Sequence, residues 1–134
     1  AAFIPVIMGM GGNIGTQSST IVVRGLATGR IHLRDFRSVL FKEFAIGLIL
    51  GIVYGLLVAL AAQFRYSVEA VAASVGIAVV SSMTVAALVG SLVPMTFARF
   101  NVDPAVATGP FVTTAIDIIS VYFYFQIATT LLGF

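Results

Sequence analysis

Residues 70–98 read AVAASVGIAVVSSMTVAALVGSLVPMTFA, twenty-nine positions without a charged side chain, closed by Glu69 on one side and Arg99 on the other. A helix rises about 1.5 Å per residue, so about 20 residues already cross the ~30 Å hydrocarbon core of a bilayer. This stretch is long enough to span. The pattern recurs through the chain: residues 1–23 and 44–64 carry no charge, and residues 104–134 carry only Asp117. Short charged links at 24–43, 65–69 and 99–103 separate the four stretches. The predicted fold is all-α: a polytopic transmembrane helical bundle of about four membrane-spanning helices, at roughly 1–23, 36–64, 68–98 and 104–133. Together they make one transmembrane domain over 1–134, with no soluble domain.

Composition agrees with that pattern. Of 134 residues, 60% are hydrophobic and 9% charged, against roughly 45–50% and about 25% in a soluble domain. Too little polar surface is available for a water-soluble globule, and too much apolar surface for a disordered chain. The net charge of +2 is unevenly placed. Arg24, Arg30, Arg34, Arg37 and Lys42 fall in the first link and Arg99 in the third, while the second holds only Arg65. The positive-inside rule puts loops 24–43 and 99–103 in the cytoplasm, with loop 65–69 and both termini external. The setting is a cell membrane, plasma or inner, crossed several times. The basic loop suits topology and lipid head groups; no motif for nucleic-acid binding accompanies it. An external N-terminus with no export signal before it suggests at least one further helix upstream. With no cysteine in the chain, disulfides, thiolate metal sites and thiol nucleophiles are excluded.

Segment one is unusual for a spanning helix. Gly9, Gly11, Gly12 and Gly15 crowd its middle, and Asn13, Thr16, Gln17 and Thr20 follow i, i+3, i+4, i+7, which places them on one helical face. Each glycine costs about 1 kcal/mol against alanine in a helix, so the run needs a purpose. Two are open: close helix packing, or backbone and amide groups facing a wet cavity. Gly25 to Arg30 reads as a glycine-punctuated loop, and Asp35 as a cap for segment two. Gly47, Gly51, Gly55 and Ala59 in segment two, and Ser74, Ala78, Ser82, Ala86 and Gly90 in segment three, set small residues at every fourth position. That spacing lets membrane helices approach closely. Lys42 and Glu43 sit at the cytoplasmic entrance of segment two, either as an interfacial pair or at a pore mouth. Glu69 and Pro94 read as boundary residues.

Segment four opens with Asp103-Pro104, a cap and a first-turn proline, and is interrupted at Gly109-Pro110. Asp117 follows near its middle, with Thr113 and Thr114 before it and Ser120 after it. A carboxylate at the centre of a spanning helix costs roughly 2.5–3.5 kcal/mol on insertion scales and marks an ion or proton path by default. Every Lys, Arg and His in the chain is in a loop or at a helix end, so none is placed to pair with it. A mobile cation is the natural partner. One acid with amides, hydroxyls and carbonyls is an all-oxygen site, suited to Mg²⁺, Ca²⁺, Mn²⁺ or alkali cations. Mg²⁺ keeps its waters and can be held through them by one or two carboxylates, so two copies of Asp117 across a two-fold axis would match a divalent charge.

The run Pro5-Val-Ile-Met-Gly-Met-Gly-Gly-Asn13-Ile-Gly-Thr-Gln17-Ser-Ser-Thr20, followed by Arg24-Gly-Leu-Ala-Thr, resembles the second transmembrane helix of MgtE-family magnesium channels. Lys42-Glu43 with Gly47 and Gly51 resembles the start of the third, and Asp103-Pro-Ala, Gly109-Pro-Phe-Val-Thr-Thr and Asp117 resemble the fifth. The resemblance covers nearly the whole chain in order. It implies a homodimer of five-helix subunits with the pore at the subunit interface and Asp117 of both subunits on a largely hydrated Mg²⁺. Asn13, Thr16 and the backbone at Gly12 would line the pore, with Thr113 one turn from the aspartate. Gln17, Thr114 and Ser120 are further ion-site candidates, and Glu43 would stand at the cytoplasmic mouth. Ser120 occupies a position where glycine is expected, adding an oxygen for ion or water or narrowing the pore. These 134 residues contain no counterpart of the family's first helix, cytosolic N-domain or CBS domains, so gating by intracellular Mg²⁺ is not expected of them.

The expected function is a passive Mg²⁺ channel, with Mn²⁺, Co²⁺ and Ca²⁺ as other candidate ions. A Na⁺- or H⁺-coupled divalent-cation carrier or exporter at the same site is the alternative. The partners are a second copy of the chain, lipid and Mg²⁺; no nucleotide site and no nucleic-acid partner are expected. No enzyme is expected either: an intramembrane aspartyl protease needs two carboxylates sharing a proton, and only Asp117 lies at depth.

Overall fold

The computed structural model describes residues 2–107 and 109–132, and among them there are helices and turns but no strand. Four long helices follow one another: α1 (Ile4–Ala27), α2 (Phe36–Tyr66), α3 (Glu69–Arg99) and α4 (Pro110–Leu132). Short 3₁₀ turns at Leu33–Asp35 and Pro104–Ala107 precede α2 and α4. Three of the helices, those of Leu33–Tyr66, Glu69–Arg99 and Pro110–Leu131, are long and apolar enough to cross a membrane. The 24 residues of α1 reach about 36 Å, but its glycines and polar face lower its hydropathy and leave it out of that group.

α3 is the central helix, packed against the other three, while α1 also packs against α4. The contacts give the directions. Gly47 abuts Thr84, Gly51 abuts Val80 and Gly55 abuts Gly76, so α2 and α3 are antiparallel. Gly11 meets Ser82 and Gly15 meets Ala86 on the parallel α1–α3 pair. α4 returns antiparallel to both, with Ser120 near Gly11 and Ile116 near Gly15. The two small-residue rows therefore do not face each other. α3 turns Gly76, Val80 and Thr84 to α2, and Ser82, Ala86 and Gly90 to α1. A Cβ on Gly51 would lie 3.0 Å from the Val80 Cα, a backbone atom that cannot yield, so the glycine row of α2 fixes the helix separation.

The larger core joins Ile7 and Ile14 of α1 to Val79 and Met83 of α3 and Val112 and Ile116 of α4. A smaller one joins Val22, Val39 and Met95 toward the end where the first and third links lie. The outward side of α2 exposes Phe41, Ile49, Leu56 and Phe64, and α4 exposes Phe111, Ile118 and Tyr122. Apolar surface this continuous belongs against lipid or another chain. The protein is a multi-pass helical membrane protein.

Several sequence expectations shift in detail. α1 runs on to Ala27 rather than ending near residue 23. Gly25 is inside it, where a side chain would collide with Ile31 and where its carbonyl accepts from the amides of Arg30 and Ile31. That glycine serves the returning loop, not a helix end. Asp35 caps the 3₁₀ turn through the His32 amide at 2.9 Å and makes no side-chain cap to α2. Asp103 likewise accepts from the Ala105 amide at 2.9 Å and caps a 3₁₀ turn; α4 begins at Pro110, after Gly109 at φ +72°. Only glycine adopts that backbone readily. Pro94 is buried inside α3, which continues five residues past it.

Candidate cation site on the α1–α4 face

The glycines of α1 divide by face. Gly11 and Gly15 are buried, and a side chain on either would strike α3 or α4. Gly9 has open space around it, and a Cβ on Gly12 would stand 3.9 Å from the Asp117 Oδ1. The run divides: the inner glycines pack, as one of the two readings expects, and the outer ones leave room on the other side.

Asp117 is half-buried beside Gly12, where α4 crosses α1. Among the described residues no donor or basic side chain reaches its carboxylate, and the one ion-pair contact is His32 with Asp35, 3.5 Å apart in the first link. Gly9, Asn13, Thr16 and Thr20 follow helical spacing down the open side of α1, all exposed except half-buried Thr16. The Thr16 hydroxyl donates to the Gly12 carbonyl at 2.8 Å, and the Thr20 hydroxyl to the Thr16 carbonyl at 2.8 Å. Their protons are directed at their own helix, so the lone pairs of these oxygens remain for a cation or its waters. Thr113 is on the Asp117 row one turn earlier, and both its amide and its hydroxyl donate to the Gly109 carbonyl at 3.1 Å. The carbonyl at the Gly109-Pro110 break is satisfied locally.

Other predicted positions are placed differently. Asn13, at the edge of that open side, also borders with Gln17 a groove of about 310 Å³ lined by Leu50, Tyr54 and Met83, between α1 and α2. Thr114 is exposed on α4. Ser120 is turned into the bundle, 1% exposed, and accepts from the Ser82 hydroxyl at 2.6 Å. Glu43 is not paired with exposed Lys42: it is 6% exposed and accepts from the Ser18 hydroxyl at 2.5 Å. Sequence reasoning missed Ser18 and this burial. The available signal was the row Val39, Glu43, Gly47, Gly51, Gly55, which places Glu43 on the packed face of α2. Replacing Ser82 by alanine should destabilise the bundle by only about 0.6 kcal/mol, the usual weight of an interhelical hydrogen bond in a membrane protein. Thermal unfolding in detergent measures it.

Among the described residues no three His, Cys, Asp or Glu side chains gather. One chain supplies one carboxylate to an oxygen-lined face, which cannot replace the hydration shell of a divalent ion but can bind it through that shell.

A membrane helical bundle that sets one acid, Asp117, beside an open polar strip of α1 is suited to meeting a cation there. Residues 4–127 match the family profile of MgtE, described as a divalent cation transporter, and the chain belongs to that family. It is 36% identical over 132 residues to "Magnesium transporter MgtE" of Thermus thermophilus, covering 98% of this chain and 29% of that protein. The proteins of the same name from Enterococcus faecalis and Bacillus subtilis are 40% and 33% identical over 129 residues, each covering 96% of this chain and 28% and 29% of theirs. The chain thus spans less than a third of the length of these relatives.

Proposed function

We propose that this chain forms a passive pathway for hydrated Mg²⁺ across a cell membrane, with the α1–α4 face of two copies enclosing it. The observation that carries this is the Asp117 carboxylate beside Gly12, without a partner among the described residues, in a chain similar to three proteins named magnesium transporters. Two such carboxylates balance a divalent charge, and Asn13, Thr16 and Thr20 offer oxygens to its waters. Loops 24–43 and 99–103 lie in the cytoplasm in this reading. An inside-negative potential then drives the ion inward by about 4.6 kcal/mol per 100 mV, twice the value for a single charge.

The test is reconstitution of the chain in liposomes loaded with a Mg²⁺ indicator. Mg²⁺ should enter under an inside-negative potential with no Na⁺ or proton gradient. Entry that requires an opposing Na⁺ or H⁺ gradient would replace the channel with a coupled carrier at the same site. Mn²⁺, Co²⁺ and Ca²⁺ offered in competition read the selectivity.

A further inference from the structure

Glu43 is a second carboxyl group within the bundle, and the Mg²⁺ pathway as drawn does not use it. It is the eighth residue of α2, about 10 Å along the helix from Phe36. Among the described residues its hydrogen-bond partner is the Ser18 hydroxyl, itself 2% exposed. The elements packed around it bring no charge to it. α3 carries none between Glu69 and Arg99, and α1 has only the exposed Arg24, six residues past Ser18. Arg37 and Lys42 are exposed on α2, and exposed Arg34 and the His32–Asp35 pair lie before the helix starts. A buried acid with a single hydroxyl donor is an expensive way to fill space, since an apolar side chain of similar volume would do so without desolvation.

Its position gives the acid a purpose. α1 and α2 both pack on α3, yet their backbones hardly approach each other. Over about two turns of α1 the groove lined by Met10, Asn13, Gln17, Leu50 and Tyr54 lies between them. Among the described residues the Ser18–Glu43 hydrogen bond is the polar tie across that gap. Ser18 follows Gly12 by six residues, about 9 Å along α1, so a rotation of α1 at Ser18 carries the ion-facing groups with it.

We propose that Glu43 is a positioning residue for cation transport: its carboxylate and the Ser18 hydroxyl clasp α1 to α2 and so set where Gly12 and Thr16 stand against Asp117. This rests on the reading of the α1–α4 face as the ion path. The clasp fixes α1 in rotation, as the Gly15–Gly90 contact fixes its distance from α3. Small displacements of positioning groups carry large functional penalties.

The experiment measures Mg²⁺ uptake by the reconstituted chain against external Mg²⁺ for Ser18→Ala, Glu43→Ala and the double variant. Each single change should raise the half-saturating Mg²⁺ about five- to tenfold, and the double should be no worse than either, because both remove one interaction. Ser18→Thr, which keeps the hydroxyl, should stay within about twofold of the original, and Glu43→Gln, which keeps an acceptor, within about threefold. A second readout does not depend on transport. The chain has no cysteine, so Met10→Cys with Tyr54→Cys reports the α1–α2 separation by the rate of cross-linking with a short bifunctional thiol reagent. Glu43→Ala should change that rate at least threefold, and Glu43→Gln should restore it. Should Glu43→Ala not fold, Glu43→Met, which removes the acceptor and fills the volume, completes the same cycle with Ser18→Ala. Effects that multiply in the double variant, or a cross-linking rate indifferent to position 43, would overturn the clasp. An altered cross-linking rate in a chain that carries no Mg²⁺ would leave the clasp standing and remove the transport reading instead.

Discussion

Asparagine in place of Asp117 is expected to lower Mg²⁺ uptake at least a hundredfold while leaving the bundle as stable as before. The two halves of this result have separate causes. At an effective dielectric constant of about 20, a divalent ion whose centre lies roughly 5 Å from a carboxylate gains on the order of 6 kcal/mol, and loss of even half of that exceeds a hundredfold in occupancy. The fold, by contrast, loses nothing it uses. Asp117 is half-buried and, among the described residues, makes no hydrogen bond or ion pair, so the isosteric amide breaks no contact and relieves a desolvated charge. Uptake into indicator-loaded liposomes and unfolding temperature in detergent, measured on the same preparation, check both. Uptake kept within threefold would move the ion site away from Asp117. A large fall in unfolding temperature would instead make the carboxylate structural. Glutamate at 117 should fall between, because its charge is retained but displaced into the space beside Gly12.

Much of this was legible in the chain. The charge-free stretches between Arg24 and Arg99 outline the helices because charged side chains are confined to membrane boundaries. The i, i+3, i+4, i+7 spacing of Asn13, Thr16, Gln17 and Thr20 marks the less buried side of α1, of which Asn13 and Gln17 border the groove toward α2. Spacing alone could not say which glycines of α1 pack and which border the site, because a helical wheel has no neighbours on it. Gly11 and Gly12 differ by one 100° step, yet one touches Ser82 and Ser120 and the other faces Asp117. Ser120 illustrates the same limit: three residues from Asp117 along α4, it is rotated far enough to bond with Ser82 instead. Adjacent opposite charges at a membrane boundary suggest a surface pair or a pore mouth for Lys42 and Glu43. The row of Glu43 on α2 decides the matter, and that row points inward.

Gly90→Ala is expected to be the most damaging single-methyl change in the chain, destabilising the bundle by about 3 kcal/mol. The new Cβ would collide with the Gly15 carbonyl oxygen and lie 2.9 Å from its carbon and 3.0 Å from its Cα. All three are backbone atoms, so no rotamer change on α1 can relieve the clash; α1 must move off α3 as a whole. Doing so would open the contacts of Gly11 and Gly15 with α3 and α4 together. Gly9→Ala adds the same methyl where nothing lies within 4 Å, and should be neutral or slightly stabilising, since alanine is the better helix former. Unfolding temperatures of the two variants, measured side by side, separate packing from composition. Gly12→Val completes the comparison. Its Cβ would make only an ordinary contact, 3.9 Å from the Asp117 carboxylate, so the protein should fold, but the extra methyls occupy the place assigned to hydrated Mg²⁺ and should cut uptake at least tenfold. A variant that folds without transporting, beside one that fails to fold, would show that the two faces of one glycine-rich helix have different tasks: the inner one sets its distance from α3, and the outer one keeps space for the ion.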